Sequence, residues 1–161
     1  MSGWLHCPVC NRPSEDQETF ATAEGDGIAP TSVAAVDGAS PSTLAEIVNQ
    51  EGATAYEREQ FEDAEQLFRR AVELDPDEPL YLTNLAAALS ENGNEEEAEH
   101  MLGVALEVGP DDPTTLLAAG IFAADRDRRN EAIRHWRHLI EVAPDSEEAE
   151  EARSNLNEMG R

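Results

Sequence analysis

The segment FEDAEQLFRRAVELDP, residues 61–76, decides the fold. Ala64, Phe68, Ala71 and Val72 fall at i, i+4, i+7 and i+8, one face of a helix, and Asp75-Pro76 stops the run because proline cannot continue it. The pattern returns twice. Pro76, Pro110 and Pro144 each lie 34 residues from the next. In register with them, a small residue recurs at Ala64, Ala98 and Ala132, and a large apolar one four positions later at Phe68, Leu102 and Trp136. The preceding segment repeats as well: Gly52, Ala86 and Gly120 at a position of close helix approach, and Val48, Leu82 and Leu116 before it.

This period and this order of small and large residues resemble the tetratricopeptide repeat (TPR) family. The resemblance covers residues 44–144. It departs from the family pattern at Glu51, where Leu is usual, at Ala55 and Ala123, where Tyr is usual, and at Leu139, which replaces the Ala of Ala71 and Ala105. It implies an all-α fold: a right-handed superhelical solenoid of three helix-turn-helix repeats, residues 43–76, 77–110 and 111–144. Helices are expected at 43–57, 61–74, 78–91, 95–108, 112–125 and 129–142. A capping box at Thr43 and Glu46 opens the first, and Gly93 supplies the middle turn. A capping helix follows at 145–159, opened by Asp145 and Glu148. Its narrow stripe of Ala149, Ala152, Leu156 and Met159 covers the last repeat, while its acidic face meets water.

The chain has 161 residues, enough for one such domain and a tail. Net charge is −24, from 35 acidic and 11 basic residues, and every basic residue is Arg. Such a field repels phosphate backbones and anionic lipid, so neither nucleic acid nor a membrane surface is the expected partner. No stretch has signal-peptide or membrane-span character, so the expected location is cytoplasmic.

Residues 1–12 contain His6-Cys7-Pro8-Val9-Cys10-Asn11, a CPxC turn that resembles one knuckle of a zinc ribbon. Cys7 and Cys10 supply two thiolates of the four ligands a structural zinc needs. His6, a nearby acid, a second chain or a partner must complete the set. A four-thiolate zinc shared by two chains, making a homodimer, is the most economical completion. A non-binding knuckle and a redox dithiol are the competing readings. Residues 13–42, rich in Ala, Gly, Ser, Thr, Pro and acids, are too poor in large apolar side chains to offset the entropy of ordering, and are expected to be a flexible linker.

The TPR resemblance implies a concave groove lined by the first helix of each repeat. Carried over position by position, the lining is Glu46, Asn49, Ala53, Tyr56 and Glu57, then Leu80, Thr83, Asn84, Ala87, Ser90 and Glu91, then Thr114, Leu117, Ile121, Ala124 and Asp125. One branch of the family grips the C-terminal carboxylate of heat-shock chaperones with Lys, Asn and Arg. Only Asn84 matches that clamp. Its basic positions fall on Asn49, Thr114 and Ala118, which lack the charge to neutralise a carboxylate. An apolar floor between acidic rims instead suits a peptide or helical segment with apolar anchors beside Arg or Lys.

The third repeat reverses the charge locally, with Arg126, Arg128, Arg129, Arg134 and Arg137 near His135 and His138. Trp136 aligns with Phe68 and Leu102 and is expected to be buried, so the arginines read as a solvated turn that pairs with the acidic surface. No nucleophile with a base, glycine-rich phosphate loop or paired-carboxylate motif stands out. The expectation is a non-catalytic adaptor whose TPR domain requires no cofactor. A metal- or thiol-dependent accessory acting through Cys7 and Cys10 is the alternative.

Overall fold

The computed structural model describes residues 40–160, which form seven helices and no strand. These are α1 Pro41–Glu57, α2 Phe61–Leu74, α3 Pro79–Glu91, α4 Glu95–Val108, α5 Pro113–Asp125, α6 Arg129–Val142 and α7 Glu147–Met159. Cys7, Cys10, His6 and the linker as far as residue 39 lie outside the described residues. Helices α1, α3, α5 and α7 touch in succession to form an inner layer, and α2, α4 and α6 each pack on the inner helix before and after.

Local chemistry sets the helix ends. Pro79 and Pro113 occupy the first turns of α3 and α5, where a missing N–H costs nothing, and the Glu78 and Asp112 side chains accept backbone N–H bonds there. The same device starts α1 earlier than the Thr43–Glu46 capping box implies. Ser40 Oγ accepts the Thr43 N–H at 3.2 Å and Pro41 begins the helix rather than breaking it. Residues 41 and 42 are therefore helix and not linker, and α1 runs for 17 residues against 13 in α3. In α7 the cap is Ser146, which accepts the Ala149 N–H at 3.1 Å, in place of Asp145. The three hairpin turns place Glu59, Gly93 and Asp127, 34 residues apart, at φ of 60°, 81° and 58°. Only the middle turn meets that left-handed requirement without a Cβ.

The core follows the sequence register. Ala64, Ala98 and Ala132 are fully buried at the crossings, as are Ala71, Ala105 and Leu139, and Phe68, Leu102 and Trp136 fill the space between the two layers. At Gly52 a Cβ would lie 2.7 Å from the Phe68 ring, and at Gly120 it would run into the Trp136 indole. Glycine is needed where the outer helix presents a ring. Ala86 is accommodated in the repeat whose outer helix presents the slimmer Leu102. The departure at Glu51 also has a physical reason. Its counterparts Leu85 and Ala119 are buried against the preceding repeat, whereas Glu51 and Ile47 are exposed on the outer side of α1.

Candidate interaction surface

The inner helices bring the sequence-predicted lining residues together in columns one repeat apart, but to different depths. Glu46, Glu57 and Asp125 are exposed, and Leu80, Ser90, Glu91, Thr114, Ile121 and Ala124 are half-buried. Asn49, Ala53, Tyr56, Thr83, Asn84, Ala87 and Leu117 are buried within the stack. The difference comes from packing between repeats, which closes over the positions nearest the α1–α3 and α3–α5 seams.

The buried polar members bond across those seams. Asn84 Nδ2 donates to Asn49 Oδ1 at 2.9 Å, joining α3 to α1. The Thr83 and Thr115 hydroxyls lie 3.0 Å apart, joining α3 to α5. Each hydroxyl has a single proton to give, so with Thr115 donating to Asp112 Oδ1 at 2.7 Å, Thr83 donates either to Thr115 or to the Pro79 carbonyl at 2.9 Å. Among the described residues no buried side-chain nitrogen or oxygen lacks a partner. These pairs fix the spacing of the inner helices, since separating them would strand desolvated polar groups. Toward the turn end, the Tyr56 hydroxyl reaches Glu91 Oε1 at 3.5 Å, and its ring meets Phe61 edge-on with centroids 5.2 Å apart. Partial burial raises the Asp125 carboxyl above the ordinary carboxylate value, opposed by neighbouring Arg126.

Of the apolar lining positions, Leu80 in the first turn of α3 and Ile121 and Ala124 on α5 stay half-buried, and of the acidic ones Glu46, Glu57 and Asp125 are exposed and Glu91 half-buried. Residues 55–119 match the family model described as Tetratricopeptide repeat. Among solved structures, the TPR domain of Arabidopsis OM64 superposes with a TM-score of 0.63 at 24% identity, over 74% of this chain and 98% of that one. The TPR domain of Sgt2 from Aspergillus fumigatus gives 0.62 at 25% identity, over 76% and 85%. The second TPR domain of human RPAP3, in complex with the HSP70 peptide SGPTIEEVD, gives 0.60 at 20%, over 73% and 98%. The fold is that of the tetratricopeptide repeat. No curated protein matches the chain.

In this TPR solenoid the arginine-rich third repeat pairs with acids on α4. Arg126 lies 3.2 Å from Glu95 and stacks with its guanidinium 3.3 Å from the Phe122 ring centroid. Arg128 reaches Glu99 at 2.6 Å. Trp136 is buried, with Nε1 donating to the Leu117 carbonyl at 3.4 Å. His138 Nε2 sits 2.8 Å from Asp111 Oδ1, and burial lowers the His135 pKa below the ordinary imidazole value. On α2, Arg69 bonds both Glu65 and Glu97, tying the first TPR repeat to the second, and that bond holds Glu97 below the ordinary carboxylate value. No helix among the described residues is long and apolar enough to cross a membrane.

Sequence reasoning missed the Asn49–Asn84 and Thr83–Thr115 pairs as structural links. Their signal is a polar residue at an inner-helix position where the TPR register predicts burial. The pairing of Arg126 and Arg128 with acids is what the sequence leads one to expect, whereas the Arg69 link between Glu65 and Glu97 is not.

Proposed function

We propose that the chain is a non-catalytic adaptor that takes a peptide or helical segment of a partner protein along the inner face of its TPR helices. The observation that supports this reading is that Leu80 and Ile121 stay half-buried on the inner helices, which also carry the carboxylates of Glu46, Glu57, Glu91 and Asp125. Such a surface rewards apolar anchors and draws Arg or Lys beside them. The human RPAP3 domain shares this fold and holds a peptide ending in EEVD. Here the positions that would neutralise such a tail are Asn49, engaged with Asn84, the half-buried Thr114, and buried Ala118. The same architecture therefore selects against an acidic C-terminus and for a basic, apolar segment.

The test is selection from a random peptide display library on the full chain. Recovered sequences are expected to combine apolar residues with Arg or Lys. Ile121→Glu, at a half-buried position, should weaken the recovered peptides at least about tenfold, as removal of an anchor contact does. Glu46→Gln with Glu57→Gln should weaken them less and flatten their salt dependence. Enrichment of acidic C-termini, or full binding by folded Ile121→Glu protein, would overturn the assignment.

A further inference from the structure

The two junctions between successive repeats are built from equivalent residues and finished differently. At the junction of the second and third repeats, Arg126 and Arg128 leave the end of α5 and lie across the first turns of α4, on Glu95 and Glu99. Thirty-four residues earlier the equivalents of these arginines are Asn92 and Asn94. Asn92 Nδ2 donates to Glu65 Oε2 at 2.7 Å and to the Phe61 carbonyl at 3.2 Å, and the exposed Asn94 makes no capping bond. Both side chains are shorter than arginine and uncharged. A surface depression of about 460 Å³ is left, lined by Phe61, Glu62, Glu65, Glu91, Asn92 and Asn94.

We infer that this depression is a binding site for an arginine side chain of a partner protein. Two independent observations meet there. The cavity keeps three carboxylates, and the same positions one repeat later hold guanidinium groups. The position of Glu95 is taken by Phe61, whose half-buried ring lines the depression and meets Tyr56 edge-on, so an aromatic group stands beside the carboxylates here as Phe122 stands beside Arg126. Glu65 already receives Arg69 on Oε1 and Asn92 on Oε2, which leaves it capacity for one further donor. Glu62 is exposed. Carboxylates beside an aromatic face favour the flat, weakly hydrated guanidinium over the compact ammonium of lysine. The site lies at the turn edge of the solenoid and shares Glu91 alone with the proposed inner-face surface, so Glu62 and Asn92 report on it separately.

The experiment titrates N-acetyl-arginine methylamide into isotopically labelled full-length chain and follows amide resonances. Saturable shifts are expected at residues 61–65, at 91–94 and at the side-chain amides of Asn92 and Asn94. The neutral citrulline analogue should produce none, and the lysine analogue should bind more weakly. Asn92→Arg with Asn94→Arg gives the first junction the residues of the second and should weaken arginine binding at least about tenfold by supplying the cation internally. Glu62→Gln, at an exposed position, should also weaken it. Shifts spread evenly over the acidic surface, equal response to arginine and lysine analogues, or unchanged binding by either folded variant would overturn the proposal.

Discussion

The α-carbon of Gly120 lies beneath the indole of Trp136, so close that a methyl group built there would overlap the ring at Nε1, Cδ1 and Cε2. The middle repeat solves the same crossing with Ala86 and Leu102. Helix separation is thus set by matched pairs, and each member constrains the other.

Gly120→Ala alone should destabilise the protein by about 1–3 kcal/mol, the usual cost of overpacking a filled core. Gly120→Ala combined with Trp136→Leu reproduces the middle-repeat pair and should lose less than the sum of the two single changes. A double-mutant cycle on denaturant midpoints measures this, and strict additivity would show that the two residues do not constrain each other.

The Asn49–Asn84 bond predicts a second non-additivity, with the opposite chemistry. Asn84→Ala leaves the buried Asn49 amide oxygen without its donor and should cost about 1–3 kcal/mol. Adding Asn49→Ala removes the stranded group, so the double variant should be no less stable than Asn84→Ala. Urea melts of the three variants decide it. A double variant that loses the full sum would mean that the pair contributes by packing volume and not by polar pairing.

A third prediction concerns pH. Burial lowers the His135 pKa in the folded chain below the unfolded value of 6.5. The folded state therefore binds fewer protons, so its contribution is full above about pH 6.5 and is lost as pH falls through the folded value. His135→Gln should flatten the decline of the melting midpoint between about pH 7 and 5, a window set by the unfolded imidazole value. Parallel profiles for the two proteins would refute it. The Arg69–Glu97 bond acts in a more acidic window. It lowers the Glu97 pKa, so its contribution is full above the ordinary carboxylate value and declines below it.

Much of this was legible in the chain because a repeat offers three readings of every position. The ends of α2, α4 and α6 follow from Pro76, Pro110 and Pro144 and the apolar stripe before each, and they lie where the period places them. The start of α1 was less legible because Pro41 is a breaker inside a helix and a good first residue at its end, and only the Ser40 hydroxyl bond distinguishes the two. The inner face was legible as a set of positions and not as a set of depths. Leu117 and Ile121 lie one turn apart on α5, yet one is buried and the other half-open, because depth depends on which side chains of the neighbouring helices cover each position. A 34-residue period carries no information about that cover.

Among the described residues, the substantial contacts of every helix are with helices one or two places along the chain, α1 with α2 and α3, α3 with α4 and α5, α5 with α6 and α7. During synthesis, then, the first hairpin gains its partners as soon as α3 has emerged, while α5 to α7 are still unmade. The described helices can complete their interior in the order in which they are read, and α7 covers the face of α5 and α6 that the third repeat leaves open.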